Sequence, residues 1–267
     1  MKHSLRQNMA VLVSLWSFFS QAAFAADSAE SVNAKLKAGK EVAWLIEDST
    51  DKDGDLAVLF TSRTKGSKPA DFPMIVEGVE DVDTDALNED TQIMENIVVS
   101  LKEKRVIGRI QLSDSEDVVY FPHKNHGSLS VLWGPEEEGW HFGLLVYGAK
   151  WDSREVMLIE SDGERLRQTS IIAMLNAKAT ATIAAAIKGK KGIVANYYGI
   201  TYGPLAVVDA DAGYSVGNPV TVKIDFSAEV PKSDEAPYID GYTMTVLLET
   251  SRDKISAKAL KVTKAKE

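Results

Sequence analysis

The chain contains no cysteine. That excludes disulfides, thiolate nucleophiles, thiolate metal sites and the lipid-modified N-terminus of bacterial lipoproteins, which needs a cysteine at the cleavage point. Histidine is scarce, with four in 267 residues, and none lies beyond position 141. Basic residues are outnumbered, 30 against 39 acidic ones, for a net charge of −9. An acidic surface repels phosphate, which argues against nucleic-acid binding and against docking on anionic lipid. Neither phosphate-cradling glycine pattern, G-x-x-x-x-G-K-[ST] or G-x-G-x-x-G, occurs.

Long apolar runs are also missing beyond the first two dozen residues. There, Lys2, His3 and Arg6 precede the apolar run from Met9 to Phe19, and Ala23-Phe24-Ala25 supplies small residues around a cleavage point. That order is the layout of a secretory signal peptide, and the run is well short of the ~20 residues needed to span a bilayer. The expectation is a signal peptide over 1–25 and a single mainly-β domain over 26–267, periplasmic or secreted, with no membrane span in the mature chain. The leader holds two of the basic residues and none of the acidic ones, so the remainder is more acidic still. Without disulfides its stability must come from a buried core, and 45% hydrophobic composition at this length can supply one.

Period-two patterning dominates that remainder. Val42–Ile46 and Leu56–Phe60 read as strands around Asp51-Lys-Asp-Gly-Asp55, whose Asp-Gly step favours a hairpin turn. Glu77 to Glu95 carries eight acids and no base, which predicts an exposed loop or insertion. Strand signals resume at Ile97–Leu101, Val106–Ile110 and Val118–Phe121. An antiparallel meander then follows: Ser128–Trp133, Phe142–Tyr147, Val156–Ile159 and Glu164–Gln168, separated by tight turns.

The period then lengthens to nearly four. Ile171, Leu175, Ala179, Ile183 and Ile187 form one stripe of an amphipathic helix near 170–188, with Thr169 or Ser170 to cap its start and Gly189 to end it. Further strands are expected at Ile193–Tyr198, Leu205–Val208, Val220–Phe226 and Tyr242–Leu248. The lysines from Lys254 to Lys266 suit an edge strand, where like charge blocks edge-to-edge pairing. The fold class is therefore mainly β (α+β), an antiparallel meander sheet with one amphipathic helix.

Few residues carry chemistry. Gly213-Tyr-Ser-Val-Gly217 matches the G-x-S-x-G nucleophile elbow, but no histidine follows it and an alternating strand stands where a helix is needed. Asp48, Asp51, Asp53 and Asp55 fail as a calcium loop: with Gly54 as sixth residue, Phe60 stands at the glutamate position. His123, His126 and His141 are the sole histidines outside the leader, and the turn between two strands adds Glu136, Glu137 and Glu138. Imidazole with carboxylate suits zinc or another borderline divalent ion, so these three are the candidate metal ligands if the strands bring them together. Trp133, Trp140 and Trp151, with Tyr197, Tyr198 and Tyr202, are aromatic groups able to line a core or stack on a ligand.

Asn125-His-Gly-Ser-Leu-Ser-Val-Leu-Trp-Gly-Pro135 and the strands after it, residues 125–168, resemble one blade of a WD40-like β-propeller of the TolB or dipeptidyl-peptidase N-terminal type. Those blades end a strand in Trp-Ser-Pro-Asp-Gly; here Trp133-Gly134-Pro135-Glu136 lacks the Ser and the Asp-Gly. The segment is also similar to exported bacterial proteins of unassigned function that carry Asn-His-Gly-x-Leu-Ser-Val in such a meander. The resemblance implies a β-meander and no particular activity. Two functions stand open: a non-enzymatic binding or interaction module for an unknown protein or small ligand, and a metal-binding protein or metal-dependent enzyme using the histidines. No other cofactor is indicated.

Overall fold

The structure, a computed structural model, describes residues 34–36, 38–76, 87, 90–112, 127–134, 139–149, 152–189, 199–207, 220–229, 238–251 and 254–264. The expected leader, the strands at Val118–Phe121 and Ile193–Tyr198, and the Gly213–Gly217 motif lie outside them. The protein is mainly β with antiparallel sheets, as the alternation predicts.

Strands β1 (Val42–Leu45), β2 (Leu56–Thr64), β3 (Met74–Val76), β4 (Gln92–Ser100) and β5 (Arg105–Arg109) form the first sheet, in the order β3-β1-β2-β4-β5. One pairing departs from expectation: the short β3 runs parallel to β1. The acid-rich stretch also ends differently. Its last residues belong to β4, and Glu95 is paired with arginine rather than held out in a loop. Asp51–Asp55 does turn the chain, with Gly54 at φ 65°, a conformation open to glycine at little cost.

The second sheet holds β6 (Gly127–Trp133), β7 (His141–Ala149), β8 (Asp152–Ser161) and β9 (Leu166–Ser170), then β10 (Gly199–Val207), β11 (Val220–Glu229), β12 (Tyr238–Ser251) and β13 (Lys254–Lys264). Its order is β13-β12-β11-β10-β8-β7-β6, with β9 also on β8. One side of β8 is therefore shared. Ser153 pairs with Tyr202 of β10, whereas Met157 to Ser161 pair with β9. The sheet forks at that point, and the helix α1 (Ile171–Ile187) starts directly after β9. The lysine-bearing β13 is the outermost strand at the other end.

The fork creates two cores on opposite faces of β7 and β8. Toward the first sheet, Leu145, Tyr147, Met157 and Ile159 join Trp44, Val58, Phe60 and Val98. Toward the helix, Leu144, Val156 and Leu158 join Ile171, Leu175, Ala179 and Ile183, together with Val222, Ile224 and Phe226 of β11. This explains the uninterrupted apolar runs Leu144-Leu145 and Val156–Ile159: a strand covered on both faces has no wet positions to alternate. Every residue of the predicted helical stripe is buried, Ser170 is the N-cap, and Gly189 turns away at φ 79°.

The first sheet closes onto the second at β5 and β9. Gly108 makes this possible, because a Cβ there would lie 2.4 Å from the Cβ of Leu166. Beside it, the Gln168 amide donates to Arg109 O (3.3 Å) and accepts from Gln111 N–H (2.9 Å), acting as a short length of strand between the sheets. At the opposite side, Trp133 donates its indole N–H to Ser49 O at 2.8 Å, fixing the β1–β2 loop to β6.

Candidate functional site

The antiparallel pairing of β6 with β7 decides where the histidines fall. Gly127 faces Ala149 and Trp133 faces Gly143, so His141 opens β7 at the end where β6 finishes. Gly127, where β6 begins, is six residues back along that strand from Trp133, roughly 20 Å at strand spacing. His123 and His126 lie outside the described residues. The described strands bring only His141 to this end of the sheets, and β6 begins at the other.

His141 meets an acid from the β1–β2 loop of the first sheet. Its Nδ1 lies 4.0 Å from Asp51 Oδ2, and the Asp51 carboxylate is almost fully buried. The other oxygen, Oδ1, accepts the Asp55 N–H at 2.8 Å, closing the turn that the sequence marks with Asp-Gly. Asp55 in turn accepts from Ser100 Oγ (2.7 Å) and Lys102 N–H (3.1 Å). Asp51 and Asp55, two of the four acids that fail as a calcium loop, thus secure the β1–β2 turn to the end of β4. Among the described residues, no three of His, Cys, Asp and Glu gather into a metal-holding group.

Ser161 pairs with His141 across the strands. With Asp51 and His141 it supplies the three residue types of a hydrolytic triad. Burial separates them from that chemistry: Ser161 is 0% exposed, and its hydroxyl oxygen accepts the Gly163 N–H at 3.0 Å. A nucleophile must reach a substrate carbonyl, and this one is sealed inside the sheet.

On the other face of the same end, Glu160 and Arg167 pair across β8 and β9 at 2.6 Å. The guanidinium also lies over the Trp140 ring, 4.3 Å from its centroid, an arrangement in which ring and carboxylate both attract the cation. Burial pushes the Glu160 carboxyl above its ordinary range, and the charge of Arg167 and its hydrogen bond offset only part of that. The sequence marks Trp140 only as an aromatic able to line a core or stack on a ligand, and it gives no sign of Arg167 and Glu160, because alternation assigns a face to each residue and says nothing of its cross-strand partner.

Two further polar groups serve the fold. Glu41 is buried and accepts from both terminal guanidinium nitrogens of Arg109, at 2.8 and 3.2 Å, plus the Ala70 N–H at 2.7 Å. Glu95 bridges Arg109 and Arg63. At the fork, Glu155 accepts from Ser170 Oγ (2.6 Å) and from the Val156 N–H (2.9 Å). Tyr202 lines the core, one of the two roles open to it from the sequence, and donates to Asn176 Oδ1 of the helix at 2.9 Å. Trp151, Tyr197 and Tyr198 lie outside the described residues.

Among known proteins, no family model, no curated protein and no solved structure matches this chain. Among the described residues no helix is long and apolar enough to cross a membrane.

Proposed function

We propose that the chain is an exported, non-enzymatic binding or interaction module that works in the periplasm or outside the cell. The observation that supports this most is the grouping at one end of the sheets. Trp140, just before β7, with Arg167 of β9 over its ring lies on one face there, and the pair of His141 from β7 with Asp51 from the β1–β2 loop lies on the other. Aromatic and arginine side chains are the types that dominate recognition surfaces. The serine and the carboxylates nearby are held in hydrogen bonds that serve the fold, which favours recognition over reaction. A signal-peptide layout in the first 25 residues and the lack of cysteine fit that setting. The test is affinity capture from a periplasmic extract with the full chain and with Trp140→Leu. A species retained by the first and lost by the second, at equal thermal stability, supports the reading. Equal retention, or none by either, contradicts it.

A metal-binding protein using His123, His126 and His141 is the second reading, favoured by the imidazole of His141 standing beside a buried carboxylate. Elemental analysis of the purified protein, with the triple histidine-to-alanine variant as control, decides it. Stoichiometric metal that the variant loses supports this reading. Metal-free wild type, or metal kept by the variant, removes it.

A further inference from the structure

Three buried polar atoms between the two sheets have no hydrogen-bond partner among the described residues: Trp44 Nε1, Asn96 Oδ1 and the Tyr147 hydroxyl. All three residues are at most 2% exposed. Trp44 and Asn96 flank Phe60 in a single cross-strand row of the first sheet, Trp44 facing Phe60 and Phe60 facing Asn96. Trp44 and Phe60 belong to the core that Tyr147 enters from β7. The row thus looks across the inter-sheet space toward the strand carrying the phenol. Folded proteins leave few buried donors and acceptors unsatisfied, and several that face one inter-sheet core call for a bound polar group there.

The neighbourhood is polar on both sides. Two residues along β2 from Phe60, Ser62 Oγ donates to Gln92 Oε1 at 2.7 Å, and both side chains are buried. Glu155 is the cross-strand partner of Tyr147. Burial, and then the Glu155 charge, push the Tyr147 phenol far above its ordinary value, so it keeps its proton and can donate. The unpartnered set is therefore an indole donor, a phenol donor and an amide acceptor.

We propose that a hydroxyl-bearing guest, either an internal water or a small neutral organic molecule, is bound between the sheets, accepting from Trp44 Nε1 or the Tyr147 hydroxyl and donating to Asn96 Oδ1. A hydroxyl is the simplest group that accepts and donates at once. Neutrality follows from the carboxylate of Glu155, which repels an anion, and from the cost of burying any charge among Phe60, Leu145 and Met157. The inference stands apart from what the module captures at the Trp140 end, since it concerns the opposite interior.

The sign of one substitution separates the cases. With a guest in place, Tyr147→Phe removes a bridge, and the melting temperature falls by about 2–4 °C for a chain of this size. With nothing there, the hydroxyl is a liability, and the same substitution leaves the melting temperature unchanged or raises it. A high-resolution crystal structure supplies the second measurement. Density within hydrogen-bond distance of at least two of the three atoms is expected; its absence overturns the proposal whatever the melting result. Mass spectrometry of the supernatant from denatured protein then distinguishes the sources. An equimolar neutral compound identifies an organic guest, and its absence with density retained identifies water.

Discussion

Ser170 Oγ donates to Glu155 Oε1 at 2.6 Å while accepting the Ala173 N–H at 3.0 Å, so a single hydroxyl joins a buried carboxylate to the start of the helix. The contact lies where β8 passes from β10 to β9. The Val156 N–H is taken there by the carboxylate of Glu155. Glu155 thus fills a gap in the hydrogen-bond ladder that the fork opens.

Ser170→Ala removes the cap and one donor to the buried carboxylate, for an expected loss of about 1–3 kcal/mol. Ser170→Asp is the sharper variant. Aspartate caps helices as well as serine does, yet here it sets a second carboxylate against Glu155. Chemical denaturation at neutral pH should find Ser170→Asp less stable than Ser170→Ala. The reverse order would show that capping alone matters at this position.

Gly108 is required by proximity rather than by conformation. Gly108→Ala is expected to cost about 1–3 kcal/mol through overpacking. Because the nearest atom is the Cβ of Leu166, Leu166→Ala should not relieve the clash and Leu166→Gly should relieve part of it. A double-mutant cycle in urea measures the difference.

Lys104 turns the β4–β5 connection at φ 52°, a region that side chains enter at a cost. Lys104→Gly should raise stability by roughly 0.5–1 kcal/mol, because no other contact of that turn changes. Thermal melts check it, and a lower melting temperature would contradict the strain.

Two acids give opposite pH dependence. Burial raises the Glu160 carboxyl, and Arg167 offsets only part of it, so the folded state binds this proton more tightly than the unfolded chain does. Stability gained from it grows as pH falls through the raised value toward the ordinary 4.5. Asp162 is the reverse. Desolvation pushes it up, but the side-chain and backbone hydrogen bonds of Arg165 and the Glu164 N–H hold it down at about 2. Its contribution is present above the ordinary 3.8 and is lost as pH falls toward 2. Stability measured against pH should show Glu160→Gln gaining on wild type at neutral pH, with the gain vanishing below about 4.5. Asp162→Asn should lose at neutral pH and match wild type near pH 2.

Where local pattern carries the information, the sequence is a sufficient guide. The stripe from Ile171 to Ile187 repeats every fourth residue, close to the helical period, and is buried residue for residue. The strict alternation of Val222, Ile224 and Phe226 gives their inward face in β11. Pairing is another matter, because it is set between distant segments. Met74–Val76 is too short to show a period, and its parallel partner β1 lies some thirty residues earlier. The fork at β8 leaves no local signature beyond the two-sided burial of Val156–Ile159. The candidate site shows the same limit: His141 stands at the head of a strand, but its neighbour Asp51 comes from the β1–β2 loop of the other sheet, a pairing no local pattern announces, and His123 and His126 lie outside the described residues.

The functional account depends first on the chain leaving the cytoplasm. N-terminal sequencing of the protein recovered from fractionated cells tests that most directly. The account predicts a chain beginning at Ala26 in the periplasmic or extracellular fraction. A chain that still carries residues 1–25 and stays with the cytoplasm would contradict it.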